Sequence, residues 1–176
     1  MLKSAEKWIA DLGLQQHPEG GWYREVYRSS ETIAVEGLAK RFDGERCCCT
    51  SIYFLLQGSE FSAFHRIKQD ELWHFYQGDG LSVHVIDKRG NYSQKRLGSG
   101  LNDGEAFMQV VEAGDWFGAT VAPGSYALVG CTVAPGFDFA DFEMAEFQAL
   151  VASYPQHKVI IEQLTRRLSE NENLTA

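Results

Sequence analysis

Between Thr50 and Val133 the chain is interrupted every few residues by a turn, and most of these turns carry glycine. Gln57-Gly58-Ser59, Gly78-Asp79-Gly80, Lys88-Arg89-Gly90-Asn91, Gly98-Ser99-Gly100, Gly114-Asp115 and Pro123-Gly124 supply the breaks, with the polar pair Gln69-Asp70 between two of them. No helix of ordinary length fits between such breaks. The intervening segments are short and rich in β-branched and aromatic residues, which predicts strands at about 50–57, 62–67, 72–76, 82–87, 92–97, 108–112, 116–121 and 126–133. Many short strands in regular succession close into a sandwich or a barrel.

The flanks differ. Ala5, Trp8, Ile9 and Leu12 form one face of a short helix over 4–13, with Gly13 suited to its C-terminal cap. His17-Pro18-Glu19-Gly20-Gly21 breaks regular structure, and 22–28 reads as a strand. On that strand Trp22, Arg24, Val26 and Arg28 share one face and Tyr23, Glu25 and Tyr27 the other. A polar loop is expected over 29–46. After the strands, Asp141 is the expected cap of a helix carrying Met144, Phe147, Leu150 and Val151. Pro155 interrupts it, and Val159, Ile160, Leu164 and Leu168 continue a second amphipathic helix before a polar end at 169–176. The expectation is one domain over 1–176, with the barrel at about 20–140 and helices at about 141–170.

A chain of 176 residues, 44% hydrophobic and 23% charged, can bury a core without staples. Its net charge of -8 argues against nucleic acid and against anionic membranes as partners. No apolar run is long enough to span a bilayer, and the N-terminus lacks an apolar stretch suited to export, so a cytoplasmic location is expected. Cys47, Cys48 and Cys49 are consecutive and Cys131 stands apart. Adjacent cysteines rarely satisfy disulfide geometry, so the four are read as reduced, small apolar residues.

The segment with the most chemistry is Phe64-His65-Arg66-Ile67-Lys68-Gln69-Asp70-Glu71-Leu72-Trp73-His74. It sets His65, Glu71 and His74 on two strands joined by a polar turn, with Gly58 before and Gly78 after. In this it resembles the first motif of the cupin superfamily, a glycine, a His-x-His pair, a glutamate and a glycine, except that Ile67 stands where the second histidine would. Gly114-Asp115 and Pro123-Gly124 resemble the second motif, whose histidine falls on or near Ala127. Two of the usual four metal ligands are therefore absent. His74 is a possible substitute, but on a regular strand it faces away from Glu71, while Trp73 shares the Glu71 face; only a bulge would reverse this.

Four further motifs make the resemblance narrower. His17-Pro18-Glu19-Gly20-Gly21-Trp22-Tyr23-Arg24-Glu25, Thr50-Ser51-Ile52-Tyr53-Phe54-Leu55-Leu56, Asp70-Glu71-Leu72-Trp73-His74 and Val133-Ala134-Pro135-Gly136-Phe137-Asp138-Phe139-Ala140-Asp141-Phe142 resemble, in order, the cupin-5 family, a domain of unknown function numbered 985. The resemblance implies an all-β fold, a double-stranded β-helix (jelly-roll barrel) with peripheral N- and C-terminal helices, commonly dimeric, with an interior pocket. It implies no established reaction, and by analogy it points toward metal-independent epimerases of the dTDP-4-dehydrorhamnose type.

The expected function is binding of a small polar ligand, a sugar or nucleotide-sugar, inside the barrel, without metal or other cofactor. The alternative is an epimerase, which needs a base, an acid and a donor for the enolate oxygen. In that reading His65 is the base, Glu71 fixes its tautomer, Tyr53 or Tyr126 is the acid, and Arg24 holds the enolate or a phosphate. Phe64, Trp73 and His74 are expected to complete the ligand site. An interaction or storage-like cupin with a vestigial pocket, and a metalloenzyme built on His65, Glu71 and His74, stand as further alternatives. The strand at 22–28 is the candidate interface of a homodimer.

Overall fold

The structure, a computed structural model, describes residues 4–166. Two antiparallel sheets face each other. Numbered in chain order, one comprises β1 (Gln15–Gln16), β2 (Trp22–Arg28), β5 (Thr50–Gln57), β12 (Tyr126–Val133), β7 (Glu71–Gly78) and β10 (Met108–Val111), in that spatial order. The other runs β13 (Glu143–Met144), β6 (Phe61–Arg66), β11 (Trp116–Thr120), β8 (Leu81–Ile86) and β9 (Tyr92–Leu97). A small ribbon, β3 (Thr32–Ile33) with β4 (Arg46–Cys47), lies within the segment read as a loop.

Alternation along each strand sorts the side chains into three layers. Phe54, Leu56, Trp73 and Val129 from the first sheet meet Val83, Val85, Phe117 and Ala119 from the second, and these form the interior. Leu55 and Leu128 point the other way, beneath α1 (Ala5–Leu12). That helix is capped by Ser4, whose side chain accepts from the Lys7 amide, and ended by Gly13 at φ 60°. Phe64, Ile86 and Trp116 face out from the second sheet, beneath α2 (Phe147–Ser153) and α3 (Lys158–Gln163). Each of these large side chains is almost wholly buried, which stabilises the fold by roughly 1.5–3 kcal/mol apiece.

The C-terminal elements depart from expectation at their start. Asp141 does not cap a helix; it closes a single 3-10 turn, Phe139–Asp141, and is drawn inward by Arg46. Met144 lies in β13, and α2 begins at Phe147 with Glu146 as its cap. The expected contribution of Leu168 and the polar end at 169–176 lie outside the described residues. All four cysteines are unpaired. Among the described residues no helix is long and apolar enough to cross a membrane.

Candidate functional site

At one end of the sandwich the sheets part around a cavity of about 410 Å³. Its floor is built by a turn. Gly20 and Gly21 hold φ of 110° and 75°, and a Cβ at Gly20 would strike the Phe61 carbonyl, so only glycine lets the chain fold back so closely on β6. The Ala63 amide then donates to the Glu19 carbonyl at 2.8 Å. This locks the Glu19 side chain against His65, with Oε2 3.1 Å from Nε2.

Hydrogen-bond logic fixes the protons here. His65 Nδ1 lies 2.8 Å from the Ala63 carbonyl oxygen, which only accepts, so Nδ1 carries the hydrogen. Burial pushes the imidazole down to about 4 and the Glu19 carboxyl up. Nε2 is then bare and faces the Glu19 carboxyl. Ser62 Oγ donates to the other Glu19 oxygen at 2.9 Å. His17 completes the cluster: its Nδ1 accepts the Glu19 amide at 3.3 Å and lies 3.4 Å from Oε2. The result is a buried cluster of His17, Glu19, Ser62 and His65 on the cavity floor.

Glu71 lies on the opposite sheet, nine-tenths buried and lining the same cavity. Burial, and secondarily the neighbouring Glu19, push its carboxyl up to about 8; the Cys131 thiol and the Trp73 indole offset this only in part. The floor therefore presents, in Glu71, a carboxyl that keeps its proton at neutral pH.

The mouth comes from a bulge and a loop. The register of β2 on β5 slips between Glu25 and Tyr27, leaving Val26 as an extra residue. The slip moves Arg28 off the expected Trp22 face and onto the cavity side with Tyr23 and Glu25. Arg28 clasps Glu25 at 2.7 and 3.1 Å and donates to the Phe137 carbonyl at 3.2 Å. Phe137, Phe139 and Phe142 wall the opening, and Phe142 stacks on His65 with centroids 5.3 Å apart. Their segment is pinned from behind by the buried pair Arg46–Asp141 at 2.6 and 2.7 Å, reinforced by Gln69 Nε2 donating to Asp141 at 2.7 Å.

Of the residues singled out from the sequence, the structure brings only His65 and Glu71 into the cavity. Glu71 is not the group on His65; Glu19 is. Tyr53 and Tyr126 sit on the outer face of the first sheet under α1, with Trp8 Nε1 donating to the Tyr126 hydroxyl at 3.3 Å. Strand alternation explains this, since Thr50, Ile52, Phe54 and Leu56 are the members of β5 that turn inward. Arg24 shares that outer face, its guanidinium 6.0 Å from the Tyr53 ring. Phe64 packs beneath the C-terminal helices. Trp73 faces inward but is core, edge-on to Phe54 at 5.8 Å and Phe117 at 6.3 Å. His74 points away from Glu71, because the bulge of β7 against β12 falls beyond it, near Tyr76. Sequence reasoning missed His17 and Glu19, which were read as chain punctuation, and Arg28, which a regular strand would have turned away.

The metal set that the cupin resemblance implies does not fit these residues. Ile67 lines the cavity where a second imidazole would stand, and Ala127 is buried on the interior side where another would. Both nitrogens of His65 are engaged. Among the described residues no three His, Cys, Asp or Glu groups converge as a ligand set.

Comparison with known proteins agrees with this architecture. A family model described as cupin superfamily (DUF985) matches residues 6–145. The chain is 30% identical over 148 residues to the uncharacterized protein YML079W of Saccharomyces cerevisiae, covering 78% of this chain and 73% of that one. Among solved structures it is similar to protein SO0799 of Shewanella oneidensis, with 41% identity, a TM-score of 0.84, and coverage of 95% of this chain and 100% of that one. A hypothetical protein from Leishmania major gives 36% identity and a TM-score of 0.85 over 94% of this chain and 100% of the other. At 14% identity an oxalate decarboxylase variant from Bacillus subtilis aligns with a TM-score of 0.52 over 93% of this chain and 42% of that one, a likeness of fold alone.

Proposed function

We propose, for a chain that belongs to the DUF985 family of the cupin superfamily, that the barrel cavity binds a small polar organic molecule through hydrogen bonds and ring contacts, with no metal held by the protein. One observation carries this reading: a cavity of about 410 Å³ joins a buried polar floor to an aromatic wall at its mouth. That volume lies within the range of roughly 300–1,000 Å³ typical of small-molecule sites, and the mixture of apolar lining with a few convergent polar groups is what such sites use.

The size and charge of the cavity favour a molecule of about sugar size over a nucleotide-sugar. A pyrophosphate needs cationic partners, and Arg28, the one Lys or Arg side chain lining the cavity among the described residues, is already held by Glu25. Arg24, the phosphate-binding candidate, lies on the other side of the sheet. Binding is also better supported than epimerisation. A catalytic base needs an open lone pair, and Nε2 of His65 is filled by Glu19. The tyrosines assigned as acids do not reach the cavity.

A thermal-shift screen of small polar metabolites tests the proposal, with Ile52→Trp as the control that fills the cavity. Compounds that stabilise the parent chain and not Ile52→Trp support it. A full screen without one stabilising compound refutes it. Incubation of hits in deuterated water decides between the readings, because exchange of a carbon-bound hydrogen would restore the epimerase.

A further inference from the structure

We infer that the cavity selects an organic ammonium compound, held between the Glu71 carboxyl at its floor and the rings of Phe137, Phe139 and Phe142 at its mouth. This rests on the cavity reading above and narrows it to a ligand class.

The charges decide it. Glu19, Glu25, Glu71 and Asp138 line the cavity against one guanidinium, Arg28. Arg28 is taken by Glu25 and by the Phe137 carbonyl. Glu19 is closed off by His65 and Ser62. Glu71 remains. It is nine-tenths buried, faces the cavity and makes no ion pair among the described residues. The groups that reach it are the neutral Cys131 thiol and Trp73 indole, and the carboxyl of Glu19. Glu71 therefore faces the cavity with no opposite charge to meet it.

The wall makes the same choice of sign. Phe137 and Phe139 have centroids 5.1 Å apart at 79°, and Phe142 stands 6.2 and 6.3 Å from them at 72° and 73°. All three rings line the opening, and an aromatic π-face attracts a cation and repels an anion. Asp138 lines the cavity within the same segment. An incoming ammonium ionises Glu71 and releases its proton to solvent, so binding strengthens as pH rises toward the range in which that carboxyl titrates.

The experiment is calorimetry on the full chain with three compounds of one shape: choline, the uncharged 3,3-dimethylbutan-1-ol, and 3,3-dimethylbutanoate. At pH about 8.5 choline is expected to bind at least about ten-fold more tightly than the alcohol, with the carboxylate weakest. Its affinity should fall on going to pH about 6.5, and proton release should appear as a buffer-dependent heat. Glu71→Gln should cut the choline-to-alcohol ratio several-fold, leaving only the preference that the rings supply. The inference is overturned if the alcohol or the carboxylate binds as well as choline, if none of the three binds, or if Glu71→Gln keeps the full preference. In each of those cases hits from the polar-metabolite screen would leave the cavity reading standing, so the two failures are separable.

Discussion

Glu19 and Glu71 show how one chemical group takes two roles from its neighbours. Glu19 finds a bare imidazole nitrogen and a hydroxyl, and becomes part of the scaffold. Glu71 finds no opposite charge and remains reactive to whatever enters. Its stability contribution has a definite sign. The native state keeps the proton up to pH about 8, while the unfolded chain releases it above about 4.5. The contribution is thus fully present below about 4.5 and is lost as pH rises through about 8. A glutamine does not titrate. Glu71→Gln should match the parent in stability near pH 4.5 and exceed it by on the order of 3–5 kcal/mol above pH 8, as read by urea denaturation across pH. Equal pH profiles would mean that Glu71 is ionised and partnered in the folded chain. Residue identity alone made His65 and Glu71 legible as cavity groups. It did not pair His65 with Glu19, because that contact joins the β1–β2 turn of one sheet to β6 of the other and depends on the φ of two glycines.

Elements were legible where their sequence is regular. The strands at 50–57, 92–97 and 126–133 fall where alternation and flanking turns place them, and α1 lies between its serine and glycine caps. The failures share a cause: each depends on a partner strand or segment that periodicity does not contain. The bulge at Val26 exists because Tyr27 pairs with Ser51, and it alone brings Arg28 to the mouth. Asp141 looks like a helix cap from its local sequence, yet Arg46, ninety-five residues away, claims it. That pair holds the aromatic segment in place. Asp141→Ala should leave a buried guanidinium without its partner and cost about 3–5 kcal/mol. It should also speed hydrogen exchange at the Phe137 amide, which donates to Thr50 Oγ1 at 2.9 Å. A loss below about 1 kcal/mol with unchanged exchange would show that the segment is held by its rings alone.

At the scale of the whole molecule, the first sheet ends on a two-residue strand. β1 covers only Trp22 and Tyr23 of β2, so among the described residues the remaining edge of β2 is open. We propose that a second copy of the chain covers it, with the exposed side chains of Val26 and Tyr27 at the interface. Light scattering should give the mass of two chains, and Tyr27→Asp should shift it toward one; a parent chain that scatters as a monomer would refute the interface. The broader account is that a barrel lacking the nitrogen donors for a metal keeps its cavity as a site for small molecules. Methyl NMR tests this most directly, because Ile52 and Ile67 line the cavity while Ile86 and Ile161 lie in the cluster between the second sheet and the C-terminal helices. Titration with a stabilising compound should move the Ile52 and Ile67 methyl signals and leave those of Ile86 and Ile161 in place. Signals at Ile52 and Ile67 that stay fixed, or that move no more than the other two, would contradict it.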